Sequence, residues 1–128
     1  MTSDSIGFEP PIPVQRIFDV TKAYGFYRDY LGFVVDWEYR FDDLPGGGPL
    51  YAQVSRASMT LHLSEHHGDG TPGTVLWIAV HNVDALHAEL ADVEYGFARP
   101  GAPEDGPGGR GFELIDPFGN VLRFAQSS

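Results

Sequence analysis

Two stretches of this chain carry the same order of elements, and neither holds enough apolar residues to fold alone. The first begins with a strand expected over Ile12 to Phe18. Asp19 or Thr21 can cap the helix that follows, which runs to about Tyr30 with Ala23, Phe26, Tyr27, Tyr30 and Leu31 on one side. Gly32 ends that helix. A strand from Phe33 to Phe41 comes next, then a hairpin of Leu50 to Ser55 and Met59 to Ser64 around Arg56-Ala57-Ser58. The polar, breaker-rich run Glu65 to Gly73 reads as a joint. The order then restarts: a strand over Thr74 to Val80, a helix from Val83 to Ala91 capped by Asn82, a weaker strand over Val93 to Ala98 and a long loop from Arg99 to Gly109. The organisation expected is an N-terminal arm (1–10) and a single domain (11–128). Within the domain, module one spans about 11–66, the joint 67–73 and module two about 74–126. Leu44 to Pro49 reads as a flexible loop.

The last element is the most explicit. Gly111 to Phe124 reads as strand, tight turn and returning strand. Pro117 fixes its own φ, and Gly119-Asn120 tolerate positive φ. Phe112, Leu114, Leu122 and Phe124 make one face; Glu113, Ile115, Val121 and Arg123 make the other. Pairing Ile115 with Val121 sets Glu113 opposite Arg123, within reach of a cross-strand ion pair.

Acidic residues outnumber basic ones 18 to 8, a net charge of −10. Nucleic acid and anionic membranes are therefore poor partners, and cationic small molecules are attracted. There is no cysteine, hence no thiol nucleophile. The first residues lack a basic segment followed by an apolar run, and no apolar run reaches membrane-spanning length, so a cytoplasmic location is expected. No Gly-x-Ser-x-Gly elbow is present, and the glycines at 106, 108 and 109 lack the lysine of a phosphate loop.

Val20-Thr21-Lys22-Ala23 with Phe26-Tyr27-Arg28-Asp29-Tyr30-Leu31-Gly32-Phe33, and the closing Asp116-Pro117-Phe118-Gly119-Asn120, resemble the glyoxalase/bleomycin-resistance/dioxygenase superfamily, the vicinal oxygen chelate proteins. Leu61 to Gly68 and Gly73 to Trp77 are similar to its bleomycin-resistance branch. The resemblance implies an α+β fold: two βαβββ modules forming a cupped, mostly antiparallel sheet with helices on the outer face, usually as a homodimer. In metal-dependent relatives four inward positions hold a divalent ion; here they align with Ile12, His62, Val75 and Arg123. One histidine beside two aliphatics and a guanidinium is a poor donor set, so neither metal nor other cofactor is expected. The metal-free branch binds antibiotics between aromatic residues, and Trp37 and Trp77 align with two such positions. A third aromatic position falls at or near Gly108.

From the residues alone, Trp37 shares an alternating stripe with Phe33, Tyr39 and Phe41 and reads first as core. Trp77 falls with Val75 and Ala79 on the open face, where an aromatic meets a ligand or partner chain. His62 faces the cup, as ligand contact or as a histidine satisfied by a neighbouring strand. Arg123 with Glu113 either anchors a ligand or is a structural pair. The expectation is a homodimer that sequesters a flat, cationic, bleomycin-like molecule through Trp37, Trp77, His62, Glu113 and Arg123. The alternative is a glyoxalase- or dioxygenase-type enzyme with a displaced metal on His62 and Glu65 or Glu113.

Overall fold

A computed structural model describes residues 5–41, 47–95 and 99–127. Parts of the expected 44–49 loop and 93–98 strand therefore lie outside the described residues. The elements are β1 (Val14–Arg16), α1 (Val20–Tyr24) continuing as a wide π-helical turn (Gly25–Tyr30), β2 (Val34–Arg40), β3 (Leu50–Arg56), β4 (Met59–Ser64), β5 (Val75–Val80), α2 (Val83–Ala91), β6 (Glu104–Gly106), β7 (Gly109–Ile115) and β8 (Val121–Gln126). They form two four-stranded sheets, ordered β1-β4-β3-β2 and β5-β8-β7-β6. In each, the first strand runs parallel to the last and the other pairs are antiparallel. This is the expected α+β architecture of two modules with a cupped sheet. No described helix is long and apolar enough to cross a membrane.

Asp19 caps α1, its side chain accepting from the Lys22 N–H at 2.9 Å, and Asn82 caps α2 through the Ala85 N–H at 3.0 Å. The first helix departs from a regular α-helix after Tyr24: Leu31 N–H donates to the Phe26 carbonyl, five residues back. That wider turn lets the consecutive Phe26 and Tyr27 both be fully buried. Leu50, Ala52, Val54, Leu61 and Leu63 from the first sheet join Ile78, Phe112, Leu114, Leu122 and Phe124 from the second in one core. Arg56 ties the modules on the outside, donating to the Leu31 carbonyl and, bidentate, to Glu89 of α2 at 2.7 and 2.9 Å.

Three boundaries differ from expectation. β1 is only three residues long, because Pro10, Pro11 and Pro13 cannot donate to a ladder; Pro13 contributes only its carbonyl, to the His62 N–H. The strand expected near 93–98 is absent over 93–95, and β6 falls instead at Glu104–Gly106, inside the expected loop. Glu-Asp-Gly has poor strand propensity; pairing with β7 holds it, Asp105 opposite Arg110. The third difference, a bulge in β2, decides the candidate site.

The modules are joined by a polar knot in the closing turn. Asp116 and Asn120 are both buried. Asp116 accepts from the Tyr27 hydroxyl (2.6 Å), the N–H groups of Phe118 and Asn120 (both 2.8 Å) and the Asn120 amide (2.9 Å). Asn120 donates to the Arg16 carbonyl and accepts from Gly73 N–H and the Thr74 hydroxyl. Burial, then the adjacent Asp116 charge, push the Tyr27 phenol well above its ordinary range, so it remains the donor. Tyr27→Phe should lower the unfolding free energy by about 1.5–3 kcal/mol, the usual worth of a hydrogen bond to a charged group. Urea denaturation checks this.

Candidate functional site

β2 contains one residue too many for its partner. Val35 pairs with Val54 on the helix side, but Trp37 pairs with Gln53 on the open side, leaving Asp36 as the bulged residue. From there on the alternation is reversed. Phe33 is buried, whereas Trp37, Tyr39 and Phe41 are 43%, 56% and 48% exposed. The core reading of Trp37 is thus corrected: it lies on the open face. Its ring stacks on Tyr51 (centroids 6.0 Å apart, planes 8° from parallel) and meets His62 edge-on at 5.3 Å.

Along this face the polar side chains form one directional chain. His62 Nε2 lies 3.1 Å from Gln53 Oε1, which can only accept, so the proton sits on Nε2. Nδ1 then accepts from the Tyr51 hydroxyl at 2.7 Å. The Gln53 amide donates to Asp36 at 3.1 Å, and the Ser55 hydroxyl donates to its other oxygen at 3.0 Å. Burial lowers the His62 pKa from its ordinary 6.5, which fits a neutral imidazole with both nitrogens engaged. Asp36 was missed by sequence reasoning, because strict alternation sends Trp37 to the opposite face and so sets no indole beside the carboxylate. Only an aligned bulge signal could have found it.

The second sheet carries a matching row. Glu113, Arg123 and Trp77 are aligned across β7, β8 and β5, at the same places that Gln53, His62 and Val14 occupy across β3, β4 and β1. Ile115 pairs with Val121 and Glu113 with Arg123, at 2.6 Å, as expected. Trp77 is 56% exposed on the open face. A cavity of about 500 Å³ runs beside it, lined also by Glu104, Asp105, Glu113 and Arg123. The turn between β6 and β7 closes over the indole edge. Gly108 has φ +83°, and a Cβ there would lie 2.6 Å from Trp77 Cη2 and 2.8 Å from Cζ2. The five expected site residues thus fall into two rows, Trp37 with His62 and Trp77 with Glu113 and Arg123. Of these five, those that line this cavity are Trp77, Glu113 and Arg123.

The donor set does not fit a divalent ion. Ile12 and Val75 offer no donor, Arg123 is a cation already paired with Glu113, and both nitrogens of His62 are hydrogen-bonded. Glu65 is engaged elsewhere, accepting from the Leu50 N–H at 3.0 Å. Among the described residues no group of three His, Cys, Asp or Glu side chains is placed to hold a metal.

The profile for glyoxalase superfamily proteins matches residues 1–128. The chain belongs to the glyoxalase superfamily. Among solved structures, it is similar to the bleomycin-binding protein of bleomycin-producing Streptomyces verticillus, solved with copper(II)-bleomycin. That likeness has 30% identity over 95% of this chain and 98% of that one, with TM-score 0.69. It is also similar to TnmS3, an antibiotic binding protein from Streptomyces sp. CB03234, with 26% identity over 94% and 98% of the two chains and TM-score 0.64. A glyoxalase/bleomycin resistance protein from the same strain is 25% identical over 91% and 100%, with TM-score 0.66. No curated protein matches this chain. The resemblance to the bleomycin-resistance branch of this superfamily therefore holds.

His62 makes the fold pH-dependent. The native state disfavours its proton and the unfolded chain accepts it near 6.5, so stability should fall as pH drops through that value. Thermal unfolding between pH 8 and 5 should show a steeper loss for the wild type than for His62→Gln.

Proposed function

We propose that this protein binds a flat, cationic antibiotic of the bleomycin type and acts by sequestration rather than by making or breaking bonds. The observation that carries this reading is the pair of exposed indoles, each set in a row of hydrogen-bonded polar side chains instead of a metal-donor set. Planar heteroaromatic groups stack on indole, and a cationic tail gains from cation–π contact. Three carboxylates, Glu104, Asp105 and Glu113, line the cavity by Trp77 against one guanidinium, that of Arg123. That local balance, with the overall charge of −10, favours a cationic guest. The antibiotic-binding relatives support the ligand class.

The working form in this reading is a homodimer. Trp37, Tyr39 and Phe41 on one sheet, and Val75, Trp77 and Ile115 on the other, leave more apolar side chains open to water than a monomer ordinarily tolerates. Pairing two copies would cover much of this surface and bring further walls to each row.

Titration with bleomycin, followed by tryptophan fluorescence, tests the proposal. Saturable quenching at micromolar drug is expected. Trp77→Ala should weaken binding about tenfold, the loss of one aromatic stacking contact of ~1.4 kcal/mol. Absence of both quenching and thermal shift in the wild type overturns the antibiotic reading. A stoichiometric metal surviving dialysis, together with turnover of a small-molecule substrate, would replace it with the enzymatic one.

A further inference from the structure

The bulge in β2 puts two consecutive side chains, Asp36 and Trp37, on the same face of the sheet. A regular strand would set them on opposite faces. The consequence is a carboxylate held beside an exposed indole. Its hydrogen-bonding partners are all neutral donors: the Gln53 amide on one oxygen and the Ser55 hydroxyl on the other. The Gln53 amide is oriented in turn. Asp36 can only accept, so the Gln53 NH2 turns to it and the Gln53 oxygen faces the His62 Nε2–H, leaving Nδ1 to accept from the Tyr51 hydroxyl. Reversing the amide would aim an oxygen at a carboxylate and a donor at a donor, so the chain has one stable direction. Each Asp36 oxygen accepts one such bond and keeps a lone pair. Asp36 belongs to none of the ion pairs among the described residues. By contrast Glu113, at the corresponding row of the second sheet, is neutralised by Arg123.

An oriented anion with no cation of its own, next to an indole, is the chemistry that selects a positively charged aromatic group over a neutral one of the same shape. We propose that Asp36 is the charge-recognising residue of the ligand site, with Trp37 as its stacking surface and the Tyr51–His62–Gln53 chain as the device that positions it. This rests on the binding reading above and deepens it. The guest it takes is a flat aromatic ring system bearing or adjoining a fixed positive charge, and the selecting carboxylate lies on the first sheet. Gln53 and His62 are positioning residues here; Asp36 and Trp37 touch the guest.

The test compares N-methylquinolinium with quinoline, which is the neutral ring of nearly the same shape at pH 7.5, by calorimetry on the full chain. The wild type should bind the cation about tenfold more tightly at low ionic strength. Asp36→Asn should abolish that preference while leaving quinoline binding within about twofold, and Asp36→Glu should restore part of it. Asp29→Asn removes the same charge from an exposed Arg28 pair on the outer helix and should leave the preference intact, separating a local effect from net charge. A preference unchanged in Asp36→Asn, or equal affinity of the wild type for the two probes, overturns the assignment. Should Asp36→Asn fail to fold, the salt response of the wild type decides. The preference must shrink as ionic strength is raised to about 0.5 M, and a salt-independent preference overturns the assignment. Bleomycin titrated in parallel separates the two proposals. An Asp36-dependent cation preference without bleomycin uptake removes the antibiotic reading and keeps Asp36. Bleomycin uptake without that preference does the reverse.

Discussion

The carboxylate of Asp116 is the constraint on which both sheets depend. It is buried, and a buried charge is tolerable only with its acceptor capacity filled. Four donors fill it, and one of them, the Tyr27 hydroxyl, comes from the helix of the other module. Asn120 extends the connection to the Arg16 carbonyl at the end of β1 and to Gly73 and Thr74 at the start of β5. The first strands of the two modules are thus fixed against the same turn. That turn also sets the register of β7 on β8, and with it the alignment of Glu113, Arg123 and Trp77.

The internal repeat gives each sheet the same frame, and the side chains then diverge. At equivalent places across the strands stand Gln53 and Glu113, His62 and Arg123, Val14 and Trp77. Each row is closed on itself by hydrogen bonds or an ion pair. Each also carries one exposed indole, at opposite ends of the frame: Trp77 on the first strand of its module, Trp37 on the second. The shared backbone therefore presents two different polar surfaces. What it offers a guest is fixed dipoles and aromatic faces, held in place before the guest arrives.

Much of this was legible in the residues. The closing hairpin was legible from its turn: with Ile115 paired to Val121 across Asp116 to Asn120, Phe112, Leu114, Leu122 and Phe124 share a face and Glu113 meets Arg123. Trp77 was placed correctly by the alternation of β5, and both helix caps were visible as Asp19 and Asn82. The misses share one cause. Periodicity assumes an uninterrupted ladder, and three places break it. Prolines shorten β1, tertiary pairing recruits the unpromising Glu-Asp-Gly into β6, and a single inserted residue in β2 reverses every later side chain. The last error hid the most, since it sent Trp37 into the core and so parted it from Asp36.

That inserted residue also makes the recognition face a discrete property. Removing Asp36 would restore simple alternation with Trp37 still opposite Gln53, so Trp37, Tyr39 and Phe41 would stay outward and only the carboxylate beside the indole would go. A lineage carrying this scaffold could therefore shed the anion and keep the aromatic exterior through a single codon deletion, with no substitution in any side chain.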